Sequence, residues 1–423
     1  MPRQRGARST TAARGLGWAG TEFEVTVGPV AHGGHCVARH EGRVVFVRHS
    51  LPGEVVRVRV TEDRHPGFCR ADAIEVLTAA PERVERPCPE SGPGRCGGCD
   101  WQHVSPGGQR ELKATVVREQ LARLAGLDVE VRVEELPGGP LRWRSRARFA
   151  VDRAGVPGLR RHRSHDVVPL ADCPITAEPA ARAVLGTRGP GAGAVDVAID
   201  STGAVTTTRL DRRGHPLTTR TTTAAGTVDP SARAARQADG RDWEVEGTGF
   251  WQVHPAAADT LVEAVADFAQ ARPGETVLDL YAGAGLFGGA LAPAVGPEGR
   301  VVCVESDPLA CAAADTNLAE LPQAEVWQGD VDADGLAALL GELGTGPDVV
   351  VLDPPRAGAG TAVSRLLAAT GARAVVYVAC DPAALARDVA AFTAAGYRLA
   401  ELRAFDAFPM TAHVECVALL VPA

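Results

Sequence analysis

One cysteine of this chain stands where a thiol can become a nucleophile. In Tyr377-Val-Ala-Cys380-Asp-Pro382, Cys380 ends an apolar strand and precedes a proline that starts a helix. Backbone N–H groups and the dipole at a helix N-terminus stabilise a thiolate there. Glu415 stands just before the last apolar run, in Phe405-Asp-Ala-Phe408-Pro-Met-Thr-Ala-His413-Val-Glu415. Asp353-Pro-Pro-Arg356 sets an acid and a rigid turn at another strand end. Gly283-x-Gly285-x-x-Gly288 permits a tight turn and close backbone approach, and it fits the dinucleotide fingerprint. Glu305, at the end of the following strand, is the acid that would hold ribose hydroxyls. A separate group is Cys88-x7-Cys96-Gly-Gly-Cys99 with Cys173 further on. Four thiolates at such spacing can bind Zn²⁺ or an iron–sulfur cluster, and spacing alone does not decide. Cys36, Cys69, Cys303, Cys311 and Cys416 read as core residues.

The elements that must position these groups are legible as texture. From Thr21 to about Ala80 short alternating runs (Glu22–Val27, Arg43–Val47, Glu54–Val60) are separated by Gly and Pro turns. They predict a small β-barrel of oligonucleotide-binding type at 21–80. Residues 81–245 carry the cysteine group, a helix from Glu111 to Leu124 and then a mixed sheet with long loops, forming an α+β central domain. After Phe250 strands and helices alternate, with apolar strands at 276–280, 300–304, 348–352, 374–379 and 414–420. That predicts an α/β, doubly wound Rossmann-like domain at 246–423, with ligands beyond the carboxyl ends of its strands. Residues 1–20 are Arg-, Ser- and Thr-rich and read as a disordered tail without the apolar core of an export signal. The expected location is therefore cytoplasmic, with thiols reduced.

Charge tests the partner. The 423 residues carry a net charge of −8, which taken alone argues against nucleic acid. Residues 1–170, however, hold 27 Lys+Arg against 20 Asp+Glu, whereas 171–423 hold 17 against 32. The basic excess peaks at Arg142–Arg163, with Arg142, Arg144, Arg146, Arg148, Arg153, Arg160, Arg161 and Arg163 against Asp152 alone. This run points to a basic surface suited to phosphates on one module of an acidic chain, with Trp143 and Phe149 nearby. No apolar stretch of about 18 residues offers a membrane span.

Asp353-Pro-Pro-Arg356, Cys380-Asp-Pro382, the run Phe405–Glu415 and Phe250-Trp-Gln252 together resemble the RNA uracil-5-methyltransferase family, and the barrel resembles a TRAM domain. The resemblance covers the chain except about 180–245. It implies that Cys380 adds to carbon 6 of uracil and that Glu415 removes the carbon-5 proton. It implies S-adenosyl-L-methionine as cofactor, held by Gln252, Tyr281, Glu305 and Asp353 around the Gly283 turn, with Asp330 toward adenine. For Cys88, Cys96, Cys99 and Cys173 it implies a structural [4Fe–4S] cluster. It favours 23S rRNA over tRNA as substrate. The sequence departs from the family pattern at Asp381, which stands where Asn is common and can cap the next helix, and also at Leu286, Met410 and Ala412. The alternatives are an RNA cytosine-5-methyltransferase, which usually carries a cysteine in the loop that here reads Asp353-Pro-Pro-Arg356, a non-catalytic RNA-binding protein, and an NAD(P) enzyme.

Overall fold

The computed structural model describes residues 16–228, 234–246 and 249–423. They fall into two compact units, one of residues up to 85 with 103–105, the other of 86–102 with 106–423. Residues 1–15 of the expected tail lie outside the described residues.

The first unit is a five-stranded barrel of β1 (Glu22–Thr26), β2 (Cys36–His40), β3 (Arg43–Arg48), β4 (Val55–His65) and β5 (Phe68–Thr78), ordered β1-β4-β5-β3-β2. Alternation points Val45, Val47, Val56, Val58 and Val60 inward, all at most 2% exposed. The packing begins before Thr21: Trp18 lies edge-on to Phe23 and under the guanidinium of Arg43. Cys36 and Cys69 are buried core residues, as expected.

In the second unit, β7 (Arg146–Val151), β8 (Pro157–Arg160), β9 (Val167–Pro169), β10 (Ala194–Ile199), β11 (Val205–Leu210), β12 (Pro216–Thr223) and β13 (Gly226–Val228) form one sheet. Every pairing in it is antiparallel rather than mixed, and all but β7 with β10 join strands consecutive in the chain. Helix α2 (Glu178–Val184) covers one face.

The other sheet of this unit contains β6 (Val133–Glu135), β16 (Thr276–Leu280), β17 (Arg300–Glu305), β18 (Ala324–Gln328), β19 (Val349–Leu352), β20 (Ala374–Ala379), β21 (Tyr397–Asp406) and β22 (Glu415–Pro422). Its order is β18-β17-β16-β19-β20-β22-β21-β6, parallel from β18 to β20, with β22 antiparallel to both neighbours. The helices are α3 (Ala257–Ala269), α4 (Leu286–Val295), α5 (Pro308–Leu318), α6 (Ala333–Leu343), α7 (Thr361–Ala369) and α8 (Pro382–Ala394). This is the doubly wound, Rossmann-like arrangement expected from the alternation. The central strands are apolar along their whole length because both faces are covered.

Two pieces from before Phe250 pack on this sheet. Helix α1 (Pro106–Gln120) starts five residues earlier than expected, at a proline suited to a first turn, and buries Ala114 and Val117 in the same core as Val133 and Phe392. The hairpin β14 (Ala234–Ala238) and β15 (Arg241–Val245) buries Trp243 in the core on the opposite face. No helix of the described residues is long and apolar enough to cross a membrane.

Candidate active site

Sheet order brings the reactive groups together. Asp353 follows β19, Cys380 follows β20, and Glu415 opens the antiparallel β22. These three strands are consecutive in space, so their ends share one edge. Ala379 is paired with Cys416, which sets Cys380 beside Glu415. All three line a cavity of about 700 Å³ together with Gln252, Tyr281, Gly283, Glu305, Arg356 and His413. Residues 250–253, 281–283, 353–356, 380 and 413–415 thus converge from distant parts of the sequence.

Backbone conformation builds the cofactor half. Gly283 (φ +56°) and Gly285 (φ +88°) lie in the left-handed region, and space is open beside Gly283. Tyr281 shares that conformation (φ +60°) and donates its hydroxyl to the Val331 carbonyl at 3.0 Å. The Glu305 carboxylate accepts from the N–H of Gly283 at 2.9 Å and from those of Ser306 and Asp307 at 2.8 Å each. These bonds aim the acid across the Gly turn. Leu309, Ala310 and Ala313 add apolar wall. An oriented acid, an open Gly turn and an apolar wall fit an adenosine-bearing ligand. Asp330 is exposed and does not line the cavity, so the structure does not bring it to the site.

The proline turn is tied from behind. One carboxylate oxygen of Asp388 accepts from the N–H of Ala359 at 2.8 Å, the N–H of Gly360 at 3.2 Å and the Tyr377 hydroxyl at 2.6 Å. No spacing signal pointed to this tether. Asp381 caps α8 by accepting from the Ala384 N–H at 2.8 Å, the role expected of it.

The electrostatics are crowded with acids. Burial pushes the Cys380 thiol up to about 12, with Glu415 and Asp353 adding to the shift and Arg356 opposing it. Burial raises Asp353 to about 7. Glu415 is raised well above the ordinary carboxylate range, first by burial and then by Asp353, again against Arg356. Burial also holds His413 down at about 4, so its imidazole is neutral at pH 7. Arg356 is the cation that acts on Cys380, Glu415 and His413 alike. It lies inside the proline motif, yet sequence reasoning gave it no role.

The Arg142–Arg163 run is only partly available. Arg142 pairs with Asp172 and Arg148 with Asp196, acids outside the run. Trp143 and Phe149 are 2% and 0% exposed and belong to the core, so neither can stack on a base. Strand alternation sends Phe149 to the α2-covered face, opposite Arg146 and Arg148.

Among the described residues no three His, Cys, Asp or Glu side chains converge closely enough to hold a metal ion. The expected metal centre is therefore not visible as an ion-sized site. Cys88, Cys96, Cys99 and Cys173 are nonetheless all buried in one neighbourhood. Burial raises the thiols of Cys88, Cys96 and Cys99, with the charge of Cys173 a further cause in each. Three sulfurs receive donors: Gly98 N–H to Cys96 at 3.4 Å, the Gln102 amide to Cys99 at 3.1 Å, and the Thr176 hydroxyl to Cys173 at 3.2 Å.

A doubly wound sheet with an oriented acid and an open Gly turn beside a strand-end cysteine fits an S-adenosylmethionine-dependent methyltransferase, here carrying a small β-barrel. Residues 19–74 match the TRAM domain and residues 346–422 the tRNA (Uracil-5-)-methyltransferase domain. An uncharacterized RNA methyltransferase of Streptomyces coelicolor is 48% identical over 96% of this chain and 93% of its own length. The 23S rRNA (uracil(1939)-C(5))-methyltransferase RlmD of Alkalilimnicola ehrlichii is 33% identical over 94% and 96%. Among solved structures, the tRNA (uracil-54, C5)-methyltransferase of Pyrococcus abyssi in complex with S-adenosyl-L-homocysteine superimposes with TM-score 0.69 at 22% identity, covering 94% of this chain and all of that one. The chain belongs to the RNA uracil-5-methyltransferase family. It is an S-adenosylmethionine-dependent enzyme, which replaces the nicotinamide, cytosine-5 and non-catalytic alternatives.

Proposed function

We propose that this enzyme methylates carbon 5 of a uridine in ribosomal RNA through a covalent adduct on Cys380. The observation that carries the reading is the meeting of Asp353, Cys380 and Glu415 at three neighbouring strand ends, in one cavity with Glu305 and the Gly283 turn. Carbon 5 of uracil is a poor nucleophile. Attack of the Cys380 thiolate on carbon 6 makes an enolate over carbons 4 and 5. S-adenosylmethionine supplies the electrophilic methyl group when bound. Glu415 then takes the carbon-5 proton, the carbon 5–carbon 6 double bond re-forms, and the thiolate leaves. Arg356 favours the thiolate at the start and the ionised Glu415 at the end. Asp353 reaches both the uracil edge and the cofactor, while Gln252, Tyr281 and Glu305 hold the cofactor. The target base leaves its stack to enter the cavity.

RNA carrying 5-fluorouridine tests the route, because fluorine at carbon 5 cannot be removed as a proton. The wild type should form a denaturant-resistant protein–RNA adduct, and Cys380→Ala should form none. An undiminished adduct in that variant would exclude Cys380.

The four thiols support a structural [4Fe–4S] cluster in the segment that follows the barrel. Donors to three sulfurs are the surroundings such a cluster uses. Anaerobically purified protein should be brown and contain iron. Colourless protein containing zinc would overturn the assignment.

The 33%-identical relative supports 23S rRNA as the substrate, with the work done in the cytoplasm. Mapping 5-methyluridine in rRNA and tRNA from a strain lacking this protein decides between the two. The functional division we adopt is a barrel at 21–80, a central RNA-binding segment at 81–245 and a methyltransferase domain at 246–423.

A further inference from the structure

The loop between β21 and β22 carries Phe408, Thr411 and His413 of the cavity and leads into Glu415. Its backbone is held by groups some 300 residues earlier in the chain. The Asp100 and Trp101 N–H groups both donate to the Met410 carbonyl, at 3.1 and 3.0 Å. The Gln109 side-chain oxygen accepts from the Met410 N–H at 2.7 Å, and its amide nitrogen lies 3.3 Å from the Met410 sulfur. The Asp100 carboxylate accepts from the Ala412 N–H at 3.2 Å. Lys113 donates to the Phe408 carbonyl at 3.0 Å and pairs with Asp406 at the loop's base.

This grip acts on a strained point. Met410 has φ +68°, a left-handed conformation that side chains of its size rarely adopt, and both of its backbone polar groups are taken by the clamp. Gln109 and Lys113 are each 0% exposed. A buried amide and a buried ammonium spent on one loop's backbone fix that loop more tightly than apolar packing would, since each bond is directional and costly to leave unmade.

We propose that Asp100, Gln109 and Lys113 are positioning residues for the proton-abstraction step: they hold the 407–414 loop so that Glu415 faces carbon 5 of the target. This rests on the reading of Glu415 as the base. It predicts a defect confined to the second half of the reaction. Addition of Cys380 and methyl transfer do not use Glu415, whereas proton removal does, and small misplacements of a base are costly.

Two measurements separate the halves. Adduct formation on 5-fluorouridine RNA reports addition and methyl transfer. Tritium release from RNA carrying [5-³H]uridine reports proton removal. In Gln109→Ala and Asp100→Ala, tritium release should fall about tenfold or more, adduct formation should stay within about twofold, and a covalent complex should build up on ordinary RNA. Glu415→Gln should show the same split more severely. If Glu415→Gln splits the two rates and neither clamp variant does, the clamp proposal is overturned alone. A parallel fall in both rates overturns it too, since that is the mark of general disruption. If Glu415→Gln releases tritium normally, the base assignment and the clamp fall together. Asp100→Ala removes a bond at the half-buried rim of the clamp, so the comparison survives if the fully buried Gln109→Ala does not fold.

Discussion

Asp353 and Glu415 enter the site from β19 and β22, one strand apart, and the negative charge of Asp353 helps hold a proton on Glu415. Asp353 is itself raised to about 7 by burial, and both acids push up Cys380. The free enzyme at neutral pH therefore keeps protons on the groups that must lose them. Activity should rise with pH, by up to about tenfold per unit where a single deprotonation limits.

Arg356 opposes the shift of Cys380 and of Glu415 alike. Arg356→Gln should raise both groups and move the ascending limb of the pH profile to higher pH, with the loss of rate largest at low pH. Single-turnover methylation between about pH 6 and 9 measures this. A variant slowed equally at every pH would assign Arg356 to RNA contact instead.

The third glycine of the 283–288 turn has a separate role. A Cβ on Gly288 would stand 2.2 Å from the Cys303 sulfur and 3.2 Å from the Asp279 carboxylate. The Gly288 N–H donates to that carboxylate at 2.8 Å. Gly288 thus lets α4 lie directly on β16 and β17. Gly288→Ala should cost about 1–3 kcal/mol of stability. Adding Cys303→Ala clears the contact, so the double variant should melt above the value expected from summing the two single effects. Thermal melts of the four proteins complete the cycle, and strict additivity would mean that Cys303 is not the obstacle.

What the sequence disclosed depended on whether a signal was local. Apolar runs five to seven residues long, separated by Ala-rich helices, announced the large sheet, and Asp353 and Cys380 could be placed at strand ends because turn residues follow their runs. Glu415 could be seen at the start of the last strand, but only the antiparallel insertion of β22 beside β20 sets it against Cys380. Long-range partners left no trace. Nothing near Asp388 tells that it ties the proline turn, and nothing near Gln109 tells that it meets Met410. Trp143 and Phe149 stand beside the arginines in sequence, as expected, but Trp143 is buried and strand alternation puts Phe149 on the covered face. Asp330 stands just past β18, exposed and outside the cavity lining, because a strand-end position need not face the ligand.

Charge in the Arg142–Arg163 run divides by partner. Arg142, Arg148, Arg153, Arg160 and Arg161 are all exposed, but Arg142 and Arg148 spend their guanidinium groups on Asp172 and Asp196. A guanidinium already spanning a carboxylate has less to gain from a phosphate, because the existing pair must be broken first. Changing Arg153, Arg160 and Arg161 together to Gln should weaken RNA binding and reduce the slope of log affinity against log salt by about 2–3, near 0.7–0.9 per lost phosphate contact. Arg142→Gln with Arg148→Gln should change that slope less, since each removes a cation whose charge Asp172 or Asp196 already offsets. Filter binding over a series of KCl concentrations distinguishes the two sets. An equal loss of slope would show that the carboxylates give way and that the whole run faces the RNA backbone.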